Sequence, residues 1–216
     1  MDDTPYVMEY VRRVDTDAVL GEVTTESAKT NMTEFYKMLY TDALSQAYNR
    51  RYFEDRIRKK VVTAGIAMID LDDFKLYNDT CGHNAGNLVL NTVVGIIRGC
   101  ICKTDILIRY GGDEFLLILQ DVDEEIFSKK LKQIRDMVCE AEVPGYARLR
   151  LTVSIGGVLA DNETIESAVA RADGLMYQAK NRKNMIVTEK SGIDSAEAKE
   201  RQQILIVDDS QINCEI

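Results

Sequence analysis

Apolar and polar residues follow one another along the chain in blocks that predict an α/β domain. A near-continuous apolar run at 61–70 predicts a buried strand, and apolar flanks at 105–109 and 114–120 predict a hairpin. Apolar residues at helical spacing and a basic stretch predict helices at 31–40, 50–60, 83–101, 123–139 and 164–180, and further strands are expected at 148–160 and 185–188. This β-α-β-β-α-β order predicts a ferredoxin-like palm, an α/β (α+β) fold in which helices flank a mainly antiparallel central sheet.

The turn of the predicted hairpin combines two glycines with two carboxylates. Gly111 and Gly112 precede Asp113 and Glu114 directly. Glycine accepts positive φ at little steric cost, so we expect this conformation in the turn. Glycines also let a phosphate or sugar approach the backbone, and neighbouring carboxylates supply the hard oxygens that Mg²⁺ prefers. The simpler alternative to a metal site is a solvated acidic turn. A functional role depends on a second acidic segment that lies close to this turn in the fold.

A second acidic site follows the first predicted strand. The buried run ends in Asp70, and a polar, glycine-punctuated segment follows at 78–87. A carboxylate at the end of a buried strand, followed by a loop and a helix, is a typical place for a metal-bound phosphate. Asp70 together with the acidic hairpin therefore indicates a metal and phosphate site more specifically than either does alone.

The composition excludes several classes of protein. The formal charge of −9 disfavours duplex nucleic acid as the main partner, because neutralising phosphates requires a basic surface. Five cysteines and a single histidine, His83, indicate reduced thiols in the cytoplasm and give no tetrahedral zinc set. The longest apolar run is shorter than the roughly 20 residues of a membrane helix, so we expect no membrane contact by this segment, although a longer parent protein could be anchored.

With these motifs in order, the sequence resembles the GGDEF-domain diguanylate cyclases over residues 41–190. The matching segments are Gly111-Gly112-Asp113-Glu114-Phe115, Ile69-Asp70-Leu71-Asp72-Asp73-Phe74-Lys75, Asn78-Asp79, Gly82-His83, Asp42-Ala43-Leu44-Ser45 with Asn49-Arg50-Arg51, Ser154-Ile155-Gly156-Gly157, and Ala172 to Lys180. The resemblance implies condensation of two GTP molecules into cyclic di-GMP with release of pyrophosphate. It also implies dependence on Mg²⁺ or Mn²⁺ and a homodimer for turnover, since each domain binds one nucleotide.

The resemblance also implies roles for individual residues. The metal ligands would be Asp70, the Leu71 carbonyl, Asp113 and Glu114, and either Asp113 or Glu114 would be the base for the 3′-hydroxyl. Substrate contacts would come from the phosphate-binding Lys75, Gly112, Lys180 and Lys183 and from the base-recognition residues Asn78, His83 and Asn87. Two rival classes stay open: a degenerate GTP-binding regulatory module, and a related palm enzyme such as a mononucleotide cyclase or polymerase.

Three positions depart from the family pattern. At the product-inhibition motif, Cys102 replaces the arginine while Asp105 is retained, so we expect weak or absent feedback inhibition. The step Asn181-Arg182-Lys183-Asn184 is one residue shorter than usual and lacks the family's glycine, and Lys183 is expected to take the basic role. Asn87 stands where the family usually places an aspartate against guanine, which predicts relaxed base selectivity and some cyclic GMP-AMP.

Both ends of the chain indicate a larger signalling protein. We interpret residues 1–40 as the tail of an upstream sensor domain with a helical linker, and 191–216 as a linker followed by the start of a receiver domain. The segment Ile204-Leu205-Ile206-Val207-Asp208-Asp209 resembles the first strand and acidic pair of a receiver. A domain of that kind needs on the order of 100 residues, so this fragment cannot fold as one. Upstream sensor and downstream receiver domains are therefore expected partners in the full-length protein.

Overall fold

The computed structural model describes residues 34–146, 149–189 and 192–194. The chain divides into two units, residues 1–39 and Tyr40–Ile216, and every strand of the sheet belongs to the second. The N-terminal tail up to residue 33 and the receiver-like segment at 204–209 lie outside the described residues. Within the described part, no helix is long and apolar enough to cross a membrane.

Helices and strands alternate along the described part of the chain. The helices are α1 (34–40), α2 (Arg50–Tyr52, continued by a π-helical turn at Phe53–Ile57), α3 (Phe74–Cys81), α4 (His83–Cys100), α5 (Glu124–Cys139) and α6 (Ile165–Lys180). The strands are β1 (Tyr48–Asn49), β2 (Val61–Leu71), β3 (Ile106–Arg109), β4 (Glu114–Gln120), β5 (Val153–Thr164), β6 (Ile186–Thr188) and β7 (Gly192–Asp194).

The strands form one seven-stranded sheet in the order β1-β3-β4-β2-β5-β6-β7. Strand β2 pairs antiparallel with β4 on one side and with β5 on the other, and β3 pairs antiparallel with β4. The four central strands are therefore those of a ferredoxin-like β-α-β-β-α-β unit. The prediction of a ferredoxin-like palm is confirmed.

Both faces of the sheet are covered, because successive residues of a strand point to opposite sides. On one face, Ala67 and Ile69 of β2 belong to a core built with α4 and α5. On the other face, Ile66 and Met68 belong to a second core built with α6 and the π-helical turn after α2. The central strand is buried on both sides, which explains its near-continuous apolar sequence.

Close packing of α6 on β5 depends on one glycine. A Cβ at Gly156 would lie 2.1 Å from the Ala172 carbonyl oxygen and 2.1 Å from the Met176 nitrogen, both in the backbone of α6. Any side chain at this position would therefore push the helix off the sheet. The glycine fixes the path of α6, whose last residue is Lys180.

The structure corrects several predicted boundaries. The helix expected at 50–60 ends at Ile57, since the chain then turns into β2 through a hydrogen bond from the Lys60 N–H to the Ile57 carbonyl. The strand expected at 148–160 runs instead from Val153 to Thr164, because the long β2 offers pairing partners as far as Thr164. Helix α3 was absent from the predicted elements, since it is short and buries no residue completely.

Candidate functional site

The two acidic segments meet at one end of the central strands. Asp70 lies opposite Glu114 in the antiparallel register of β2 and β4, so both side chains emerge on the same face of the sheet. Asp113 directly precedes Glu114, and its carbonyl accepts a hydrogen bond from the Leu71 N–H at 3.2 Å. Three carboxylates and the backbone at Leu71 thus come together, as the sequence predicted for the hairpin and the end of the first strand.

Lys180 brings a positive charge to this acidic group. Its ammonium nitrogen lies 2.8 Å from Oδ2 of Asp70, whose side chain is only 3% exposed. Burial raises the pKa of Asp70 to about 6, against the opposing effect of Lys180 and with added repulsion from Asp113 and Glu114. Burial disfavours the charged form of Lys180, but the same three carboxylates outweigh it and raise the pKa of the ammonium. The buried carboxylate of Asp70 is therefore paired with the ammonium of Lys180, which extends from the last residue of α6.

The donor set at this position fits a hard divalent cation. Carboxylate oxygens of Asp70, Asp113 and Glu114 and the main-chain oxygen of Leu71 are the ligand types that Mg²⁺ prefers. Among the described residues, no three His, Cys, Asp or Glu side chains are already arranged as a metal site. The cation at Asp70 in this structure is the ammonium of Lys180, which shows that the buried carboxylate is placed to be neutralised by positive charge.

The hairpin turn differs from the expected geometry. Gly82 and Gly145 are the glycines with positive φ among the described residues, so Gly111 and Gly112 do not adopt it and the prediction was wrong. The reversal takes four residues between β3 and β4, which is wide enough for ordinary φ values. A Cβ at Gly111 would lie 2.5 Å from Oε2 at the end of the Glu114 side chain, so any larger residue there would have to displace that carboxylate.

An arginine that the sequence analysis did not assign braces this turn. The Arg109 guanidinium donates to the Gly112 carbonyl at 2.7 and 3.1 Å and to both carboxylate oxygens of Asp42 at 3.1 and 3.2 Å. Asp42 also accepts hydrogen bonds from the Ser45 N–H and hydroxyl. Burial opposes ionisation of Asp42, but these hydrogen bonds and the charge of Arg109 keep its pKa below the ordinary value. These contacts connect the segment before β1 to the hairpin turn that carries Asp113 and Glu114.

The residues expected to contact a nucleotide base lie on α3 and α4. Asn78 is half-buried, and a Cβ at Gly86 would lie 2.0 Å from its Oδ1, so the Asn78 amide rests directly on the α4 backbone. His83 is the first residue of α4, and Asn87 lies about one turn later; both are exposed. The structure therefore places the three candidate base contacts on neighbouring helices.

The remaining lysines differ in their surroundings. Lys75 is exposed near the start of α3. The Lys183 ammonium lies 2.7 and 2.8 Å from the two carboxylate oxygens of Asp73, and both residues have positive φ, 55° and 57°. Lys183 thus occupies a left-handed position that favours glycine. The sequence analysis missed Asp73 as its partner, because the two residues are 110 positions apart.

Comparisons with known proteins agree with this arrangement. The family described as "Diguanylate cyclase, GGDEF domain" matches residues 39–185. Diguanylate cyclase A of Treponema denticola is 32% identical over 180 residues, covering 77% of this chain and 48% of that protein. The probable diguanylate cyclase DgcT of Escherichia coli is 34% identical over 151 residues, covering 65% of this chain and 33% of that protein. The chain spans less than half of each of these curated relatives.

A solved structure shows the same likeness in three dimensions. The coiled coil and GGDEF domain of DgcB from Caulobacter crescentus, in complex with c-di-GMP, superposes with a TM-score of 0.69 at 25% identity. The match covers 77% of this chain and 94% of that chain. The fold and the motifs therefore lead to the same family.

Proposed function

Because this chain belongs to the GGDEF-domain family of diguanylate cyclases, we propose that it condenses two GTP molecules into cyclic di-GMP. In each of two steps, the 3′-hydroxyl oxygen of one nucleotide attacks the α-phosphate of the other. The bond between that phosphorus and the bridging oxygen to the β-phosphate breaks, and pyrophosphate leaves. The observation that carries the proposal is the meeting of Asp70, Asp113, Glu114 and Lys180 at one end of the sheet.

Mg²⁺ or Mn²⁺ would be held by Asp70, Asp113, Glu114 and the Leu71 carbonyl, and would neutralise charge on the reacting phosphates. Positioning and neutralisation of charge supply most of the catalysis in phosphoryl transfer, so these side chains need to be rigidly placed. The register of β2 and β4 and the brace from Arg109 supply that rigidity. The base that accepts the proton of the 3′-hydroxyl would be Asp113 or Glu114.

Lys180 would act on the phosphates. Its side chain is 41% exposed, so its ammonium can leave Asp70 and reach a bound nucleotide through rotation of the four-carbon stem. Lys75, Gly112 and Lys183 would also contact the phosphates. Asn78 on α3 and His83 and Asn87 on α4 would contact the guanine. Since one chain offers one such site, product formation requires two copies that face each other.

The test is product identification. Purified protein is incubated with GTP, ATP and Mg²⁺, and the products are identified by mass spectrometry, with Asp113→Ala as the inactive comparison. We expect cyclic di-GMP from wild type and none from Asp113→Ala. GTP binding without any dinucleotide product would contradict the proposal and favour a regulatory GTP-binding module. A cyclic mononucleotide would instead favour a different palm enzyme.

A further inference from the structure

Asp72 is a buried carboxylate that the proposed chemistry does not use. It lies two residues after Asp70 and is 4% exposed. Its Oδ1 accepts a hydrogen bond from the Ser154 hydroxyl at 2.7 Å, and its Oδ2 accepts one from the Thr152 hydroxyl at 2.7 Å and one from the Asn184 N–H at 2.9 Å. A buried charge persists only when it is satisfied in this way, so its position is strongly determined.

These three hydrogen bonds join three separate segments of the chain. Ser154 lies in β5, where it is the register partner of Asp70, and Thr152 immediately precedes that strand. Asn184 lies 112 positions after Asp72, in the connection between α6 and β6. Asp72 therefore fastens the α6–β6 connection, which follows Lys180 and contains Lys183, to the strand end that carries Asp70.

The backbone around this contact is in a conformation that needs external support. Asp73, Lys183 and Asn184 all have φ values in the left-handed region, between 49° and 57°. Such residues are disfavoured intrinsically and persist where the surroundings over-determine them, often at functional sites. Hydrogen bonds from Asn184 to Asp72 and from Lys183 to Asp73 supply that support on the two sides of the connection.

The side chain of Asn184 does not take over this task. Its Nδ2 group is 3.8 Å from the Cys139 sulfur, and its buried Oδ1 has no hydrogen-bond partner within the described part of the chain. The main-chain N–H is therefore the polar group that ties this residue to the acidic end of β2. Three donors also occupy most of the acceptor capacity of the Asp72 carboxylate. Asp72 is therefore less suited than Asp70 to bind a metal ion.

We infer that Asp72 is a positioning residue that fixes the α6–β6 connection, with Lys183 in it and Lys180 directly before it, against the end of β2. The inference rests on the proposed function, since it assigns this connection to nucleotide binding. The carboxylate acts through hydrogen bonds rather than through its charge. An amide in its place can keep all three: its oxygen accepts from Thr152 and Asn184, and its NH₂ donates to a Ser154 hydroxyl that has turned.

The experiment compares Asp72→Ala, Asp72→Asn and the graded variant Thr152→Val with wild type. Asp161→Ala is the matched control, since Asp161 is exposed near the opposite end of β5 from Ser154. Binding of a non-reactive GTP analogue with Mg²⁺ is measured by calorimetry, and amide exchange over 181–186 is measured without nucleotide. We expect Asp72→Ala to weaken binding by about 10- to 100-fold, as loss of supporting hydrogen bonds around a metal site does, and to speed exchange at Asn184.

Asp72→Asn is expected to recover most of the affinity, and Thr152→Val to lie between it and Asp72→Ala. Equal exchange in wild type and Asp72→Ala, or faster exchange with unchanged affinity, would overturn the inference. Failure of Asp72→Asn to recover affinity in a folded protein would also overturn it, since the charge would then be what matters. If wild type binds no analogue, the proposed function fails and this role in nucleotide binding fails with it, whereas the exchange data still decide whether Asp72 orders the connection.

Discussion

The ammonium of Lys180 and the carboxylate of Asp70 lie 2.8 Å apart and join the last residue of α6 to the end of β2. Their contact links two segments that are distant in sequence at the point where the acidic hairpin also arrives. Burial is the largest influence on the pKa of Asp70 and disfavours its ionised form. Ionised Asp70 therefore lowers the stability of the metal-free protein.

Neutralising Asp70 should therefore stabilise the metal-free protein. Its folded-state pKa of about 6 exceeds the ordinary value of 3.8, so the folded state binds more protons between these values and the free energy of unfolding falls as pH rises through them. We expect Asp70→Asn to raise the free energy of unfolding at pH 7 by about 1–3 kcal/mol. The gain should disappear below pH about 4, where both states are protonated.

Denaturant titrations at several pH values, with a chelator present, measure this difference. Asp161→Asn, at an exposed position near the other end of β5, is the control and should change little at any pH. A destabilised Asp70→Asn at pH 7 would show that the pair with Lys180 outweighs the effect of burial.

The ion pair between Asp42 and Arg109 should stabilise both the fold and the hairpin turn that carries Asp113 and Glu114. Asp42→Ala removes a half-buried ion pair and the hydrogen bonds from Ser45, so we expect a loss of about 1.5–3 kcal/mol in the free energy of unfolding. The pKa of Asp42 is below 3.8, so this contribution is fully present at neutral pH and is lost as pH falls through the folded-state pKa. Turnover should fall too, because Arg109 also holds the Gly112 carbonyl.

A double-mutant cycle with Arg109→Ala measures the interaction. Since the two residues are in direct contact, the two losses should not add. Additive losses would show that the ion pair is not the source of the stability.

Feedback inhibition by the product should be weak or absent. Cys102 replaces the arginine of the family motif, and Asp105 is committed to the backbone: its Oδ2 accepts from the Cys102 N–H at 2.7 Å and its Oδ1 from the Gln120 N–H at 2.9 Å. Initial rates measured with added cyclic di-GMP should fall little or not at all. Calorimetric detection of tight cyclic di-GMP binding while a GTP analogue fills the active site would refute this.

Base selectivity should be relaxed by Asn87. An amide accepts on one side and donates on the other, so the charge-assisted contact of a carboxylate with guanine is lost. Such a contact is worth about 1.5–3 kcal/mol, or roughly ten- to over a hundredfold in discrimination. With equimolar GTP and ATP, wild type should yield some cyclic GMP-AMP beside a majority of cyclic di-GMP, and Asn87→Asp should yield less. Exclusive cyclic di-GMP from both would contradict the prediction.

Elements with strong local patterns could be predicted from the sequence. The buried β2, the hairpin and the amphipathic α4, α5 and α6 all lie where the apolar spacing placed them. Helix α3 has only eight residues and none of them is fully buried, so it offered no apolar face long enough to be recognised and it was missed. The conformation of the two hairpin glycines was predicted wrongly, since a four-residue reversal is wide enough for ordinary φ values.

The contacts that shape the candidate site could not be predicted in this way. Asp42 meets Arg109 across 67 positions, and Asp72 meets Asn184 across 112. Such distances in sequence carry no local signal, because only the topology of the sheet brings the segments together. Motifs therefore located the acidic residues, while the structure was needed to find the groups that hold them.

The most direct test of the proposed condensation is the stoichiometry of the reaction. GTP consumed, pyrophosphate released and cyclic di-GMP formed are quantified together for wild type, Asp113→Ala and the control Asp161→Ala in Mg²⁺. We expect two GTP and two pyrophosphates per cyclic di-GMP for wild type and for Asp161→Ala, and no product from a folded Asp113→Ala. GTP consumption without cyclic di-GMP, or wild-type turnover by Asp113→Ala, would contradict the account.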